Sequence, residues 1–542
     1  MDPRLALTGA LPFMLIAAAV LSVPVCALLL RLYRRSVVAG MAQRSGQGSE
    51  LQRQASGPAA EPLQVQRLDA AAAIDDSPAW RLARRRPWLA AATYLAAGGA
   101  YAVVMAVAFQ WSAGYAFLPV RTLVLVLSYL WPGVLAVMLV AAYGLRQRLA
   151  LLAAYFGAIA ALFLLASSEP SLAALNSVGL LWWSTNILPT ALVLAFMWRP
   201  IRAVGPLVLS FMVVALMGSQ ILISWLQADE AALRRVTSLF FGLGLGGGST
   251  FALLLVLGMM LASAAGWPLL KLLGRRYRAR AFSETSMLLD ALFLMFGIMQ
   301  AIGFVFEGPL WILAGPAAFA AARATASLLW RLRRDNIAAA PRLLLLRVFS
   351  LGARSERLFD RLRRHWQLLG PISMIAGPDL VTSTVEPHEF LDFVSGNLAR
   401  QFVTDAADLQ RRVAAFDNRC APDGRYRIDE LFCRADTWQP SMQRLAAASD
   451  AVLMDLRSFT PSNQGCRYEI GHLLDSVDLR RVVLLVDQTT DEPCLQATLQ
   501  DLWQQLAAES PNRRAGVTLR LMRIDRPDPA ALVALLGQLL RR

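Results

Sequence analysis

The chain is poor in charged residues and in metal-binding side chains. Only 17% of its 542 residues are Asp, Glu, Lys or Arg, whereas 56% are hydrophobic. This balance excludes an ordinary soluble protein and indicates a membrane protein with more than one domain. Histidine occurs three times, so no histidine-rich metal site is expected. The five cysteines have neither C-x-x-C nor zinc-type spacing, which indicates reduced thiols.

Long apolar runs fill the first 335 residues. A membrane-spanning helix needs about 20 apolar residues, and about nine runs meet this requirement. They lie near residues 8–30, 88–110, 120–143, 149–167, 174–197, 204–226, 238–262, 286–306 and 309–330. We therefore predict a polytopic α-helical membrane bundle over residues 1–335 and a second domain over residues 336–542.

Arginine and lysine are unevenly distributed among the loops between these runs. They concentrate after the odd-numbered spans, and basic loops usually face the cytoplasm. This pattern predicts an N-terminus outside and a cytoplasmic C-terminal domain, and it accounts for the net charge of +15 without nucleic-acid binding. Arg121, Arg234 and Arg235 are exceptions in outside loops. The segment at about 41–75, rich in Gly, Ser and Gln, is predicted to be a flexible cytoplasmic loop.

Charged side chains are scarce within the predicted spans. Asp290 lies about one turn into the eighth span and Arg323 about two turns from the end of the ninth, so we expect them at similar depth. We predict a structural ion pair between them, buried on adjacent helices. The run Gly242–Gly248 matches G-x-G-x-x-G but follows no strand. We interpret it as close helix packing or a helix break, not as a dinucleotide site.

Strands and amphipathic helices alternate after residue 335. The predicted strands are Leu343–Phe349, Pro371–Ala376, Tyr426–Cys433, Ala451–Met454, Arg481–Val486 and Val517–Ile524. This alternation predicts a mainly parallel, doubly wound α/β sheet. The carboxyl ends of such strands meet at one edge, where open α/β sheets bind ligands. We expect five residues there, namely Ser350, Gly377, Asp455, Ser458 and Asp487.

The stretch Ser458–Ile470, S-F-T-P-S-N-Q-G-C-R-Y-E-I, resembles TIR (Toll/interleukin-1 receptor) domains. In that family a serine-bearing loop precedes W-C-x-x-E-L at a helix start. Matching positions are Ser458, Ser462, Cys466 and Glu469, with Gly465 in place of Trp. The strand Asp450–Leu456 and the sequence Glu469-Ile470-Gly471 are also similar to nucleoside deoxyribosyltransferases. The resemblances imply a flavodoxin-like sheet and place Glu469 beside a ribose.

Both families act on an N-glycosidic bond, so the resemblances imply cleavage of NAD or a related nucleotide. NAD would be a substrate, and no cofactor is expected. We predict Glu469 as the catalytic residue, because one carboxylate can stabilise the oxocarbenium ion that forms. The remaining edge and loop residues are predicted to bind substrate: Ser350, Gly377, Asp455, Arg457, Ser458, Ser462 and Asp487.

Three functional hypotheses follow. The first is a sensor or effector of the bacterial inner membrane that hydrolyses NAD when clustered; the TIR resemblance implies the homo-oligomer. The second is a non-enzymatic signalling scaffold on a membrane bundle. The third is a transporter with a regulatory nucleotide-binding domain. Scarce intramembrane charge argues against an ion-coupled transporter.

Overall fold

A computed structural model of the protein describes most of the chain. The described residues are 3–43, 62–68, 78–141, 144–166, 172–196, 204–279, 281–332, 340–348, 353–378, 385–416, 418–421, 423–514, 516–526 and 528–541. The chain forms two compact units. The first comprises Met1–Leu30, Pro87–Arg334 and Glu386–Leu391, and the second comprises Arg31–Arg86, Asp335–Val385 and Asp392–Arg542.

Apolar helices dominate the first unit. They are α1 (Pro3–Ala42) and α2 (Pro78–Ser112), which both continue into the second unit, and α3 (Pro119–Tyr129), α4 (Trp131–Val140), α5 (Leu145–Ala166), α6 (Leu172–Phe196), α7 (Gly205–Ala228), α8 (Glu230–Gly242), α9 (Gly247–Arg278), α10 (Glu284–Ala301) and α11 (Ala314–Leu332). Short 3-10 segments, Ile302–Glu307 and Pro309–Leu313, connect the last two.

Seven segments of the described chain are long and apolar enough to cross a membrane. They are Arg85–Ser112, Pro119–Val140, Leu145–Leu165, Gly205–Gln227, Gly247–Arg278, Glu284–Val305 and Leu310–Leu332. They match seven of the nine predicted spans. The other two predictions, 8–30 and 174–197, fall mainly on α1 and α6, which are helical but not among the seven. The count of nine therefore stays a prediction.

Two predicted spans differ from the helices observed. The span at 120–143 is divided at Leu130, because Pro132 lacks the N–H that a continuous helix would need. The span at 238–262 begins instead at Gly247. The glycine run is a helix break, with Gly244 at φ +82°, a conformation that glycine adopts without a Cβ clash.

The predicted ion pair between Asp290 of α10 and Arg323 of α11 is present. Its side chains are 27% and 40% exposed, so the pair is half-exposed rather than buried. A closer contact joins the same two helices at Gly297 and Gly315. A Cβ on Gly315 would lie 2.3 Å from the Gly297 carbonyl oxygen, so only glycine allows this backbone approach.

The second unit is built around a parallel seven-stranded sheet. Its strands are β1 (Gln64–Leu68), β2 (Leu343–Arg347), β3 (Ile372–Ile375), β4 (Ile428–Leu431), β5 (Ala451–Asp455), β6 (Val482–Val486) and β7 (Thr518–Arg523), in the order β1-β7-β6-β5-β2-β3-β4. The later helices are α12 (Ala353–Trp366), α13 (Pro387–Val394, mostly assigned to the first unit), α14 (Ala406–Ala414), α15 (Trp438–Ala447), α16 (Gln464–Ser476), α17 (Glu492–Gln504) and α18 (Pro529–Leu540).

The strand order refines the flavodoxin-like prediction. Without β1 and β4 the five remaining strands have the flavodoxin order 2-1-3-4-5. The short strand β4 pairs outside β3, and counting from β2 the order becomes 3-2-1-4-5-6, that of Rossmann-type sheets. The strand at β4 was predicted, but sequence alone did not give its place in the sheet.

Alternating side chains of the strands face two separate cores. Leu343 and Leu345 of β2 pack with α12 and α18, whereas Leu344 and Leu346 pack with residues of α15, α16 and α17. Both faces are therefore covered, which explains why the strands read as continuous apolar runs. The doubly wound, parallel arrangement is confirmed for this unit.

The strand β1 corrects the prediction of a flexible loop at 41–75. It pairs in parallel with β7 from Gln64 opposite Thr518 to Leu68 opposite Met522. Leu63 packs against one core and Leu68 against the other, so β1 completes both faces. The pairing partner lies far away in sequence and β1 has only five residues, which is why local composition concealed it.

The ends of α1 and α2 that belong to the second unit also contact this domain. Tyr33 of α1 packs edge-on against Phe393, and Gly40 lies against the ring of Phe402. Arg86 of α2 is buried and donates hydrogen bonds to the carbonyls of Leu368 (2.6 Å) and Gly424 (3.1 Å). Residues 336–542 are therefore not the whole α/β domain.

Replacing Leu68 with Asp should release β1 from β7. The half-buried leucine loses its apolar contacts, and we expect about 1–3 kcal/mol of local destabilisation. Hydrogen exchange of full-length protein should show faster exchange at Thr518–Arg523. Val65→Asp is the matched control, because Val65 is 41% exposed on the same strand. Equal exchange in both variants would contradict a structural role for β1.

Candidate functional site

The site lies where the chain leaves neighbouring strands in opposite directions. From β2 the sheet continues to β3 on one side, and from β5 it continues to β6 on the other. Such a switch point opens a crevice at the carboxyl ends of the strands. Arg347 ends β2 and Asp455 ends β5, and the two residues are paired across the ladder. Both are almost fully buried.

Helix α16 brings Glu469 to this point. Cys466, Ile470, Leu473 and Leu474 form its core-facing stripe at helical spacing. Glu469 falls within that stripe and is only 4% exposed. Its Oε2 atom is buried and has no hydrogen-bond partner among the described residues. A buried, unpaired carboxyl oxygen opposes folding, which points to a role other than stability.

Burial dominates the electrostatics of Glu469. It raises the pKa of the carboxyl to about 8, and the nearby Arg347 guanidinium opposes that rise. The carboxyl is therefore mostly protonated at neutral pH. Burial, together with the charges of Glu469 and Asp455, also raises the pKa of the Cys466 thiol. Cys466 stays protonated beside the Arg347 carbonyl and is a packing residue, not a nucleophile.

Asp455 and Arg457 bind each other. The Arg457 guanidinium donates from Nε to Asp455 Oδ1 at 2.8 Å and from Nη2 to Asp455 Oδ2 at 2.7 Å. Both residues are at most 3% exposed. This bidentate pair clamps the start of the loop that follows β5. Their predicted contact with substrate stays a prediction, and in this arrangement Arg457 already has a partner for its charge.

A chain of hydroxyl groups connects the loops after β5 and β6. Ser458 Oγ lies 2.8 Å from Thr489 Oγ1, which donates to Asp487 Oδ1 at 2.6 Å. Ser458 has φ +58° and is the one non-glycine residue with positive φ in the described parts of the chain. Such a conformation is strained and is often found at functional sites. Asp487 is 1% exposed, so the chain leads from a buried carboxylate outward.

The remaining predicted residues are less closely associated with Glu469. Gly377 is buried just beyond β3, one strand away from the switch point. Ser462 is exposed and lies 2.8 Å from the Thr460 hydroxyl. Ser350 lies outside the described residues.

Sequence reasoning missed Arg347 and Thr489. A single arginine ending the strand LLLLR was the available signal for the first, and a threonine pair after Asp487 for the second.

A second cluster of ligand-type side chains lies in the first unit. One ligand atom each from Glu386, His388 and Glu389 falls within 4.8 Å of the others. The Glu386 carboxylate lies 3.1 Å from His388 Nδ1 and accepts a hydrogen bond from Tyr277 at 3.3 Å. Glu389 accepts the backbone N–H of Glu386 at 2.9 Å, which caps α13. Glu386 and Glu389 therefore each have hydrogen-bond partners within the chain.

Comparisons of this chain with family models, with curated proteins and with solved structures found no match. The resemblance to TIR domains and to deoxyribosyltransferases therefore rests on the quoted residues and stays a prediction.

Replacing Glu469 with Met should stabilise the protein, and more so at high pH. A carboxyl whose pKa is about 8 when folded and 4.5 when unfolded binds more protons in the folded state between these values. The free energy of unfolding of the native protein therefore falls as pH rises through this window, by about 1.4 kcal/mol for each unit of pKa difference. The Glu469→Met variant has no carboxyl at this position, so this decrease in its free energy of unfolding with rising pH should be absent.

The measurement is chemical denaturation of the full chain at pH 5 and pH 9. Glu509→Met is the matched control, because Glu509 is exposed and should show little pH-dependent change. A Glu469→Met protein less stable than the native protein at both pH values would indicate a structural role for this glutamate.

Proposed function

We propose that the protein is a membrane-anchored enzyme whose α/β unit hydrolyses the N-glycosidic bond of NAD or a related nucleotide. The observation that carries this proposal is the buried, unpaired carboxyl of Glu469 at the switch point. Nucleotide-type ligands bind at switch points of open α/β sheets. A carboxyl kept there at the expense of stability is a candidate for charge stabilisation in a transition state.

The chemistry requires only one carboxylate. Cleavage of the nicotinamide–ribose bond turns a cationic pyridinium into neutral nicotinamide, so no general acid is needed, and positive charge moves to the ribose. Glu469 in its ionised form would stabilise that charge or add covalently to the sugar. A cationic substrate beside the carboxyl lowers its pKa, as Arg347 already does. Substrate binding would thus help to generate the reactive carboxylate.

The seven apolar segments do not by themselves give the number of spans or their orientation. We propose that α1 and α6 also cross the bilayer, giving nine spans, an outside N-terminus and a cytoplasmic α/β unit. The distribution of basic residues supports this orientation, because cytoplasmic loops carry the excess of Lys and Arg. As the TIR resemblance implies, we propose that activity depends on self-association in the membrane.

A non-enzymatic signalling scaffold is the second candidate. The observation that favours it is the closed site, since Asp455, Arg457 and Glu469 are each at most 4% exposed. Catalysis requires this edge to open for substrate, whereas a scaffold would need only its outer surface. Binding of a partner that is indifferent to Glu469 would support this candidate.

Glu469→Gln should abolish loss of NAD by full-length protein clustered in vesicles. The amide preserves size but cannot become a carboxylate, so a decrease of at least about 100-fold is expected for a residue that stabilises the transition state. Nicotinamide release is measured by chromatography, with Glu509→Gln as the matched control. Unchanged NAD with the folded, clustered native protein would refute NAD as substrate, and nucleosides and other nucleotides would then be tested.

The rate should depend on pH through the same carboxyl. If ionised Glu469 is the active form, kcat/KM rises about tenfold per pH unit below about 8 and then levels off, because this parameter follows the free enzyme. The midpoint for kcat should lie lower, since bound cationic substrate favours the carboxylate. A flat kcat/KM profile between pH 6 and pH 9 would contradict this assignment.

A further inference from the structure

Helix α8 lies between two helices that are long and apolar enough to span a membrane, α7 and α9. It has 13 residues and a length of about 20 Å, too short for a hydrocarbon core of about 30 Å. Asp229 caps its first turn by accepting the backbone N–H groups of Ala231 and Ala232, each at 3.0 Å. The helix is therefore a separate element and not an extension of either neighbour.

The side chains of α8 divide into a basic side and an apolar side. Arg234 and Arg235 are on the basic side with Ser238, and none of the residues in α8 is buried. Leu239 and Leu243, the latter just beyond the helix, lie one turn apart at the edge of the apolar side, where Leu239 is one turn beyond Arg235, and they are 61% and 69% exposed. Phe241 lies two turns beyond Arg234, next to the basic side near the end of the helix, and is exposed as well. Exposed leucines one turn apart would be unfavourable in water.

The basic side lacks strong protein partners. Arg234 approaches Glu230 at 3.4 Å, but both side chains are more than 80% exposed, and such pairs contribute little. No carboxylate in the described chain pairs with Arg235. Two exposed guanidinium groups beside apolar surface are a match for phosphate groups above acyl chains.

The neighbouring spans also carry exposed apolar side chains. Ile221 and Trp225 of α7 and Phe251 of α9 are each more than half exposed. These residues lie on helices apolar enough to face lipid, so the same lipid provides an occupant for the leucines of α8.

We infer that α8 lies along the membrane interface, with Leu239 and Leu243 in the acyl boundary and Arg234 and Arg235 bound to phospholipid phosphates. The charge pattern gives this surface a preference for acidic phospholipids. The inference also accounts for two arginines in a loop predicted to lie outside, because lipid phosphates hold them there. It is independent of any activity of the α/β unit.

The position of α8 is tested by nitroxide labelling of full-length protein in nanodiscs. Leu239→Cys and Ser238→Cys are labelled in a background with Cys420 and Cys494 replaced by Ser, since the other three cysteines are buried. The two positions lie roughly 100° apart around the helix. The label at 239 should collide mainly with oxygen and the label at 238 mainly with a water-soluble nickel complex. Equal nickel accessibility at both would overturn the inference.

The lipid preference is tested with spin-labelled phosphatidylglycerol and phosphatidylcholine. The native protein should restrict the motion of spin-labelled phosphatidylglycerol more strongly than that of spin-labelled phosphatidylcholine. The double variant R234Q/R235Q should lose about fivefold in affinity for phosphatidylglycerol at this site per charge removed. The double variant R234K/R235K keeps the charge and should keep the preference. Inorganic phosphate at millimolar concentration should not compete if lipid is the ligand. An unchanged preference in R234Q/R235Q would overturn the assignment to these arginines.

Discussion

The hydrogen-bonded pairing of β2 with β5 is the constraint on which the α/β unit depends. These two strands are far apart in sequence, and their registry places Arg347 beside Asp455 at the carboxyl edge. The chain then leaves them in opposite directions, and the crevice of the switch point opens between the two exits. Helix α16 follows β5 directly, so the same pairing also determines where Glu469 lies.

Stability and the proposed chemistry conflict at one residue. The stripe of α16 that contains Cys466 and Ile470 is apolar except for Glu469, whose carboxyl has lost its hydration and keeps an unpaired oxygen. The neighbouring charges of Asp455 and Arg457 do not oppose folding in this way, because the two side chains form a bidentate hydrogen-bonded ion pair. A stable frame around one unsatisfied group is a common arrangement at active sites, where the reacting group is held ready for a ligand.

A few buried polar contacts join the apolar helices of the first unit, and such contacts weigh more where apolar surroundings give helices little hydrophobic drive to associate. Tyr101 of α2 donates to Gln300 of α10 at 2.7 Å, and Gln300 donates to Asn186 of α6 at 2.9 Å. All three side chains are buried, and this network connects three helices in a position where water cannot compete. Gly297 and Gly315 add a direct backbone contact, which larger residues would prevent.

The sequence by itself determined the long apolar helices of the first unit, six strands of the sheet and the strand–loop–helix unit with Glu469, because periodicity and apolar run length are local properties. Only the tertiary structure decided the place of β4, the strand β1 in a Gly- and Ser-rich segment of the sequence, and the proximity of Arg347 to Glu469. Each of these depends on backbone pairing or on burial between residues distant in sequence. The pKa of Glu469 belongs to the same class, since desolvation is a property of the packed core and not of a helix sequence.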